Sequence, residues 1–367
     1  MITRFALIIE NLHLSLPYLF LLLIYLSIFT INSSKLRTEV LKPLIILIII
    51  FLTLKYKLYL FDFKHYYIFF TQANWKKLAI MSYPEPSYYL LAIVFKYFNI
   101  GFDGFISLYY ALLYSTLYMS MKKMSDIPEL SFLLFILLPP FFLGFSIGIR
   151  QGAALGFFLL GISNLILEGK IRTIDFILLF ISILFHYSSL LAVLITVIII
   201  KMKKILTLKL QVFAIVFVLV TRPILFKLFY YVFRFLPLRY SVYLKDIGYN
   251  ALRDFIYIAV YLIFIFFTKG TDFLKNRRNI ISWNLFFVGI IINLLGSGNM
   301  SVNRFGSYFL IFVCIVFANF LKYPGIKYKS KLWAGSLIIV IAILYFIYGL
   351  FAPYKGGFLF LPYRISP

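Results

Sequence analysis

Apolar residues along this chain come in blocks, not in alternation. The blocks run at about 14–31, 43–54, 103–121, 130–145, 147–167, 173–200, 207–220, 251–268, 280–295, 304–321 and 332–351. Most approach the roughly 20 residues that a helix needs to cross a bilayer. No stretch shows the period of two that an outer-membrane barrel strand requires. Residues 87–99 predict a short helix lying along or partly into the membrane. The run 173–200 is too long for one span and short for two, so it predicts a broken pair with the break at His186. Broken helices at membrane depth are tolerated where they line a polar cavity. Pro139 and Pro140 kink the 130–145 block. The expectation is an all-α polytopic integral membrane protein, one transmembrane domain over residues 1–367 with about twelve transmembrane or broken helices. Two long connecting segments, about 55–99 and 221–250, interrupt it. Residues 1–13 read as an amphipathic lead at a membrane surface, with no small-residue cleavage site and an early Glu10. Neither a long internal repeat nor a soluble domain is visible.

Composition agrees with this class. Hydrophobic residues make up 63% of the 367 positions and charged residues 13%, with a mean hydropathy of +0.99. A soluble domain carries about 25% charged residues. The net charge of +24 does not point to nucleic acid, because the basic residues sit in short clusters between apolar blocks. Alternating the spans puts six short loops on one side: 35–42, 122–129, 168–172, 201–209, 269–279 and 322–331. Together they hold just over half of the 36 Lys and Arg residues. That side is cytoplasmic by the positive-inside rule, and both termini and both long segments then face outward. The single cysteine, Cys314, lies in an apolar run and reads as a small buried hydrophobe, with no intramolecular disulfide possible.

Charges inside this pattern are the candidates for chemistry. Arg150 and Gln151 stand in an apolar block, with glycines every fourth residue around them at Gly144, Gly148, Gly152 and Gly156. His186 follows, and then Tyr187, Ser188 and Ser189. An ionisable group at membrane depth is a functional-site candidate by default. In the outward topology Arg150, His186, Arg304, Asp62 and Glu85 all reach the same face. Arginines there suit a phosphate or pyrophosphate, since a guanidinium offers five fixed donors and keeps its charge. Glu85, Asp62 or His186 would serve as a general base toward a sugar hydroxyl.

Each feature also has a plain structural reading. The glycine ridge would be a close helix-packing surface, Arg150 a charge paired for stability, and His186 a satisfied structural histidine. Arg304 would be a snorkelling interfacial residue, and most aromatics a lipid-facing belt. Three histidines and one cysteine give no metal-ligand spacing, so no metal or other cofactor is expected.

The stretch GIRQGAALGFFLLGI…LFHYSSLL resembles the EpsG/Wzy-like polysaccharide polymerases of bacteria. The family pattern is an Arg-Gln with small residues, a hydrophobic helix, then a histidine followed by a small or hydroxyl residue. FDFKHYY resembles its acidic-then-tyrosine motif and assigns Asp62 and Tyr66. Lys57 and Phe61-Asp62 stand here where the family has a Gly-Arg region and Gly-x-Asp. PEPSYYLL assigns Glu85, NRFGSYFL assigns Arg304, and FLPYR resembles the C-terminal Pro-Tyr.

The resemblance implies a metal-independent glycosyltransferase of GT-C-like architecture in the bacterial cytoplasmic membrane. It would join undecaprenyl-pyrophosphate-linked oligosaccharide repeat units at the outer face, as in O-antigen, capsule or exopolysaccharide synthesis. The donor and acceptor glycans, membrane lipid and a chain-length regulator would be its partners. The expected roles are Arg150 and Arg304 on pyrophosphate, Glu85 or His186 as base, Gln151 on a sugar hydroxyl, and Asp62 and Tyr66 in substrate binding. Three other classes compete. A lipid-linked oligosaccharide flippase would show two similar halves and charge at mid-membrane. An O-antigen ligase would move finished glycan to lipid A, and a multi-span acyltransferase would need a catalytic histidine (or His-Asp) facing its acyl donor.

Overall fold

The computed structural model describes residues 12–55, 61–79, 85–202, 208–234, 251–269, 271–296, 299–351, 353–354 and 357–358. In chain order the helices are α1 (Leu16–Ser27), α2 (Ser34–Leu54), α3 (Phe61–Gln72), α4 (Trp75–Ala79), α5 (Pro86–Tyr97), α6 (Phe102–Met124), α7 (Pro128–Leu137) and α8 (Phe142–Ile147). They continue as α9 (Ile149–Glu168), α10 (Thr173–Phe185), α11 (Ser188–Met202), α12 (Leu208–Arg234), α13 (Ala251–Thr268), α14 (Arg277–Leu295), α15 (Met300–Leu310), α16 (Phe312–Lys322) and α17 (Tyr328–Leu350). The only strands among the described residues are Pro353–Tyr354 and Gly357–Phe358, a two-residue antiparallel pair.

Among the described residues, six segments are long and apolar enough to span a membrane: His13–Thr30, Ile149–Glu168, Ala251–Thr268, Arg277–Leu295, Ser301–Lys322 and Tyr328–Leu350. Shorter apolar helices cover Pro128–Leu137, Thr173–Phe185 and Ser188–Lys201. The chain is a polytopic helical membrane protein.

Where boundaries moved, the backbone explains it. Pro139 and Pro140 do not kink one span but separate α7 from α8, because proline lacks the donor that would continue the ladder. Residues 35–42, expected as a loop, instead open α2, capped by Ser33 accepting from Leu36 N–H at 3.3 Å. Pro43 lies inside that helix. Helix α12 runs past 220 to Arg234 with Pro223 within it, shortening the expected 221–250 connector. The rest of that connector, the amphipathic lead before residue 12 and the C-terminal Pro-Tyr lie outside the described residues.

Helix α9 is the centre of the bundle. Of its twenty residues only Phe157, Leu165, Leu167 and Glu168 escape full burial. It packs against α6 on one side and α10 on the other, and it touches α11 and α14. Glycine permits the closest approaches. A Cβ on Gly156 would lie 2.0 Å from Thr116 Oγ1, and one on Gly152 would lie 3.1 Å from a Leu113 methyl. Two members of the glycine ridge thus serve helix packing on α6. On the α10 side, Ser182 Oγ donates to the Ala154 carbonyl at 2.7 Å. At its far end α9 stops at Gly169 in the left-handed region, φ +75°, the usual residue for a helix-terminating turn. The Arg277 guanidinium donates to the carbonyls of Ile166 and Leu165 at 3.2 and 3.3 Å, a cation on the negative end of the helix dipole.

Helix direction is readable from side-chain pairs. Tyr261 meets Phe287 and Phe264 meets Trp283, so α13 and α14 are antiparallel. Gly289 faces Leu310 and Gly296 faces Val302, so α14 and α15 are antiparallel as well. The starts of α9, α13 and α15 therefore lie at one end of the bundle, since Gln151 also reaches Arg304.

Candidate functional site

The site is assembled at that end from five separate parts of the sequence. Glu85 is the N-cap of α5, in extended backbone (φ −57°, ψ 153°), with Pro86 in the first helical position. Proline is favoured there because its missing N–H is not needed. The carboxylate makes no capping bond and turns into the bundle instead. His186 ends α10 in extended backbone (φ −160°, ψ 115°), its N–H donating to Ser182 O. The expected break of the 173–200 run at the histidine is what the structure has. Ser189 Oγ donates to the His186 carbonyl at 2.7 Å, and Ser87 Oγ donates to the Leu184 carbonyl at 2.8 Å. The second bond fastens the start of α5 to the end of α10.

Glu85 joins Arg150 and His186. Its Oε2 accepts from Arg150 Nη1, and its Oε1 lies 2.7 Å from His186 Nδ1. The Arg150 carbon Cζ stands over the Tyr66 ring at 5.4 Å, a cation–π contact. Tyr66 is positioned in turn by the Tyr88 hydroxyl, which donates to its carbonyl at 2.6 Å. Asp62 sits one turn before Tyr66 on α3, so the two share a face. Its Oδ2 accepts from Arg304 Nη2 at 2.7 Å. Gln151, the residue after Arg150, donates its amide N–H to the Arg304 carbonyl. The Gln151 Oε1 atom is buried with no hydrogen-bond partner among the described residues.

All seven residues singled out in the sequence thus meet in one cluster. It is graded from closed to open. The Arg150 and Glu85 side chains are 7% and 5% exposed, whereas His186, Asp62 and Arg304 are 29%, 25% and 37% exposed.

Glu85 precedes a helix that is not one of the spans. Burial pushes its carboxyl upward, but the Arg150 charge, then His186, outweigh that and hold it at about 2. An ionised carboxylate only accepts hydrogen bonds, so His186 Nδ1 carries the proton of their bond. In the neutral ring, Nε2 then keeps its lone pair.

The sequence reading missed Ser87, and it noted Ser189 after the histidine without giving it a role. Their signal was weak: a serine two residues after the glutamate, and one three residues after the histidine. Among the described residues no group of three or more His, Cys, Asp or Glu is placed to hold a metal ion.

A helical membrane bundle with a buried Arg–Glu–His cluster, flanked by an open Arg–Asp pair at one end, is the class this architecture defines. The sequence model of the EpsG family matches residues 39–365, which include every residue of the cluster. The chain belongs to the EpsG family, and membership supports a role of polysaccharide-polymerase type. No curated protein and no solved structure matches it.

Proposed function

We propose that this protein polymerises undecaprenyl-pyrophosphate-linked oligosaccharide repeat units at the outer face of the bacterial cytoplasmic membrane. The observation that carries the reading is the Glu85 carboxylate, bonded on one oxygen to Arg150 and on the other to His186. It couples an anion-binding group to a candidate base.

A hydroxyl oxygen of the acceptor glycan attacks the anomeric carbon of the growing chain. His186 Nε2 takes the hydroxyl proton as the new C–O bond forms. The bond from that carbon to the lipid pyrophosphate breaks, and its electron pair leaves on the pyrophosphate. Arg150 and Arg304 stabilise this developing charge with fixed donors in a partly dry site. A carboxylate held at about 2 has little affinity for a proton, so Glu85 orients and supports the imidazole and is not itself the base. The free Gln151 Oε1 suits a sugar hydroxyl, and Asp62 and Tyr66 hold the two arginines in place. The outward orientation of this end follows from the loop charges.

The test is the surface-glycan profile of a deletion strain and its complement. The expected result is a ladder collapsed to one repeat unit on its acceptor, restored by the gene. Loss of the single unit as well would overturn the proposal in favour of a flippase. Free polymer that never reaches its acceptor would do so in favour of a ligase.

A further inference from the structure

A helix that stops inside a bundle leaves its last carbonyls without intrahelical donors. At the break after α10, two serines supply donors. Ser87 Oγ donates to the Leu184 carbonyl at 2.8 Å, and Ser189 Oγ donates to the His186 carbonyl at 2.7 Å. A fully buried tyrosine stands behind each serine. Tyr109 of α6 faces Ser87, with Glu85 and Arg150 close by. Tyr308 of α15 faces Ser189 and its neighbour Ser188, again with Glu85 close by. Both rings are seated edge-on against a phenylalanine. Tyr109 meets Phe185, with centroids 5.6 Å apart, and Tyr308 meets Phe158 of α9 at 5.4 Å.

Packing accounts for the rings but not for the phenols. Neither hydroxyl completes a hydrogen bond among the described residues, and an enclosed hydroxyl without one costs stability. Phenylalanine would fill both places at lower cost. What the two hydroxyls share is a serine in front of them, and both serines end on the backbone around His186. Catalytic hydrogen bonds are often long or misaligned before substrate arrives and tighten with it. The tyrosines also stand on elements tied to the arginines. Tyr308 comes one turn after Arg304 on α15, so the two share a helix face. Tyr109 is on α6, which packs along the α9 helix that carries Arg150.

We propose that Tyr109 and Tyr308 are positioning residues, whose hydroxyls close on Ser87 and Ser189 and hold the break at His186 in register with Arg150 and Arg304. They touch no reacting atom. Each acts through a serine on a backbone carbonyl, and together they fix where the imidazole stands relative to the two guanidiniums. The assignment rests on the polymerase reading above, because that reaction needs the base and the pyrophosphate donors aligned at one time.

The experiment takes the full chain in nanodiscs and reads melting temperature, turnover of the lipid-linked repeat unit, and the nitrogen NMR signals of labelled histidine. Tyr109→Phe and Tyr308→Phe keep the rings, so each should hold or raise the melting temperature. Each should lower kcat about 10- to 100-fold with KM unchanged, the pattern of alignment lost in the transition state. Ser189→Ala should lose as much, and Tyr308→Phe joined to Ser189→Ala no more than either alone, because both break one connection. Tyr114→Phe is the control. Its hydroxyl is also buried without a completed bond, but its ring packs on Phe132 and Phe135, and the variant should keep full turnover.

The NMR readout needs no sugar transfer. The chain has three histidines, and the signal lost in His186→Ala assigns the ring. Wild type should show one tautomer of His186, protonated on Nδ1, and each phenylalanine variant a mixture of two. Unchanged kcat in the phenylalanine variants overturns the proposal. So does a fall in kcat matched by a fall in melting temperature, or one that adds to the loss in Ser189→Ala. A wild type that transfers no sugar sinks the polymerase reading, and the His186 signal alone then decides the positioning. Turnover in wild type with an unmoved His186 signal in both variants does the reverse.

Discussion

Asp62 and Arg304 meet across 242 residues of sequence, Oδ2 to Nη2 at 2.7 Å, on the open side of the cluster. An ion pair this accessible contributes only about 0–1 kcal/mol to stability. Its value lies in aiming the guanidinium. Arg304→Ala should therefore leave the melting temperature within a few degrees of wild type and still abolish glycan polymer. Asp62→Asn should reduce polymer less, because it frees Arg304 without removing it. Equal loss of stability and polymer in Arg304→Ala would count against a role in binding.

Arg150 behaves differently because its pair is buried. Removing one partner of a buried ion pair costs about 3–5 kcal/mol, whereas replacing both with apolar groups of similar volume is often neutral. Arg150→Met should lower stability, and Arg150→Met with Glu85→Leu should recover it, both read as melting temperature in detergent. Neither variant should make polymer. Arg150→Lys keeps the charge but not the planar fork, and it should also fail to polymerise.

For His186 the expected loss is about 10²–10⁴ in rate, the range for removing a general base. His186→Ala should recover activity in part when imidazole is added, and His186→Gln should not, since its side chain fills the space. Turnover of lipid-linked repeat units by purified protein reads both. Wild-type rates in His186→Ala without imidazole would remove the residue from the mechanism.

Glu85 also makes a pH signature. Its folded value, about 2, lies below the ordinary 4.5. Its stabilising contribution is therefore complete above about 4.5 and is lost as pH falls from there toward 2. Thermal melts across pH 6 to 3 should show a loss in wild type that Glu85→Gln lacks.

The packing of α9 gives a prediction remote from the chemistry. A Cβ on Gly156 would overlap Thr116 Oγ1, so Gly156→Ala should destabilise by about 1–3 kcal/mol. Pairing it with Thr116→Ala should return part of the loss in melting temperature.

The cluster was legible in sequence because its members are rare types in an apolar background: Arg150, His186 and Arg304 stand out when almost everything near them is hydrophobic. The break at His186 was legible from run length alone. The pairing pattern was not. Nothing in the spacing says that Glu85 contacts Arg150 and His186 while Asp62 contacts Arg304, since these bonds depend on how α3 and α5 dock. The sequence reading gave Gln151 to a sugar hydroxyl, but half of that side chain is used to hold the Arg304 backbone. The length of α2 was hidden because its first turns carry charges, which read as loop.

The capping of α9 by Arg277 has one more consequence. Arg150 stands in the first turn and Arg277 holds the last, with twenty residues between the ends of the helix. At about 1.5 Å per residue that is roughly 30 Å, the thickness of a bilayer's hydrocarbon core. The helix acts as a ruler that sets the cluster at the boundary between a bilayer's hydrocarbon core and its polar headgroups. A host membrane thicker or thinner than the ruler would tilt it or draw Arg150 away from that boundary, so glycan synthesis should vary with acyl-chain length even though no acyl chain takes part in the reaction.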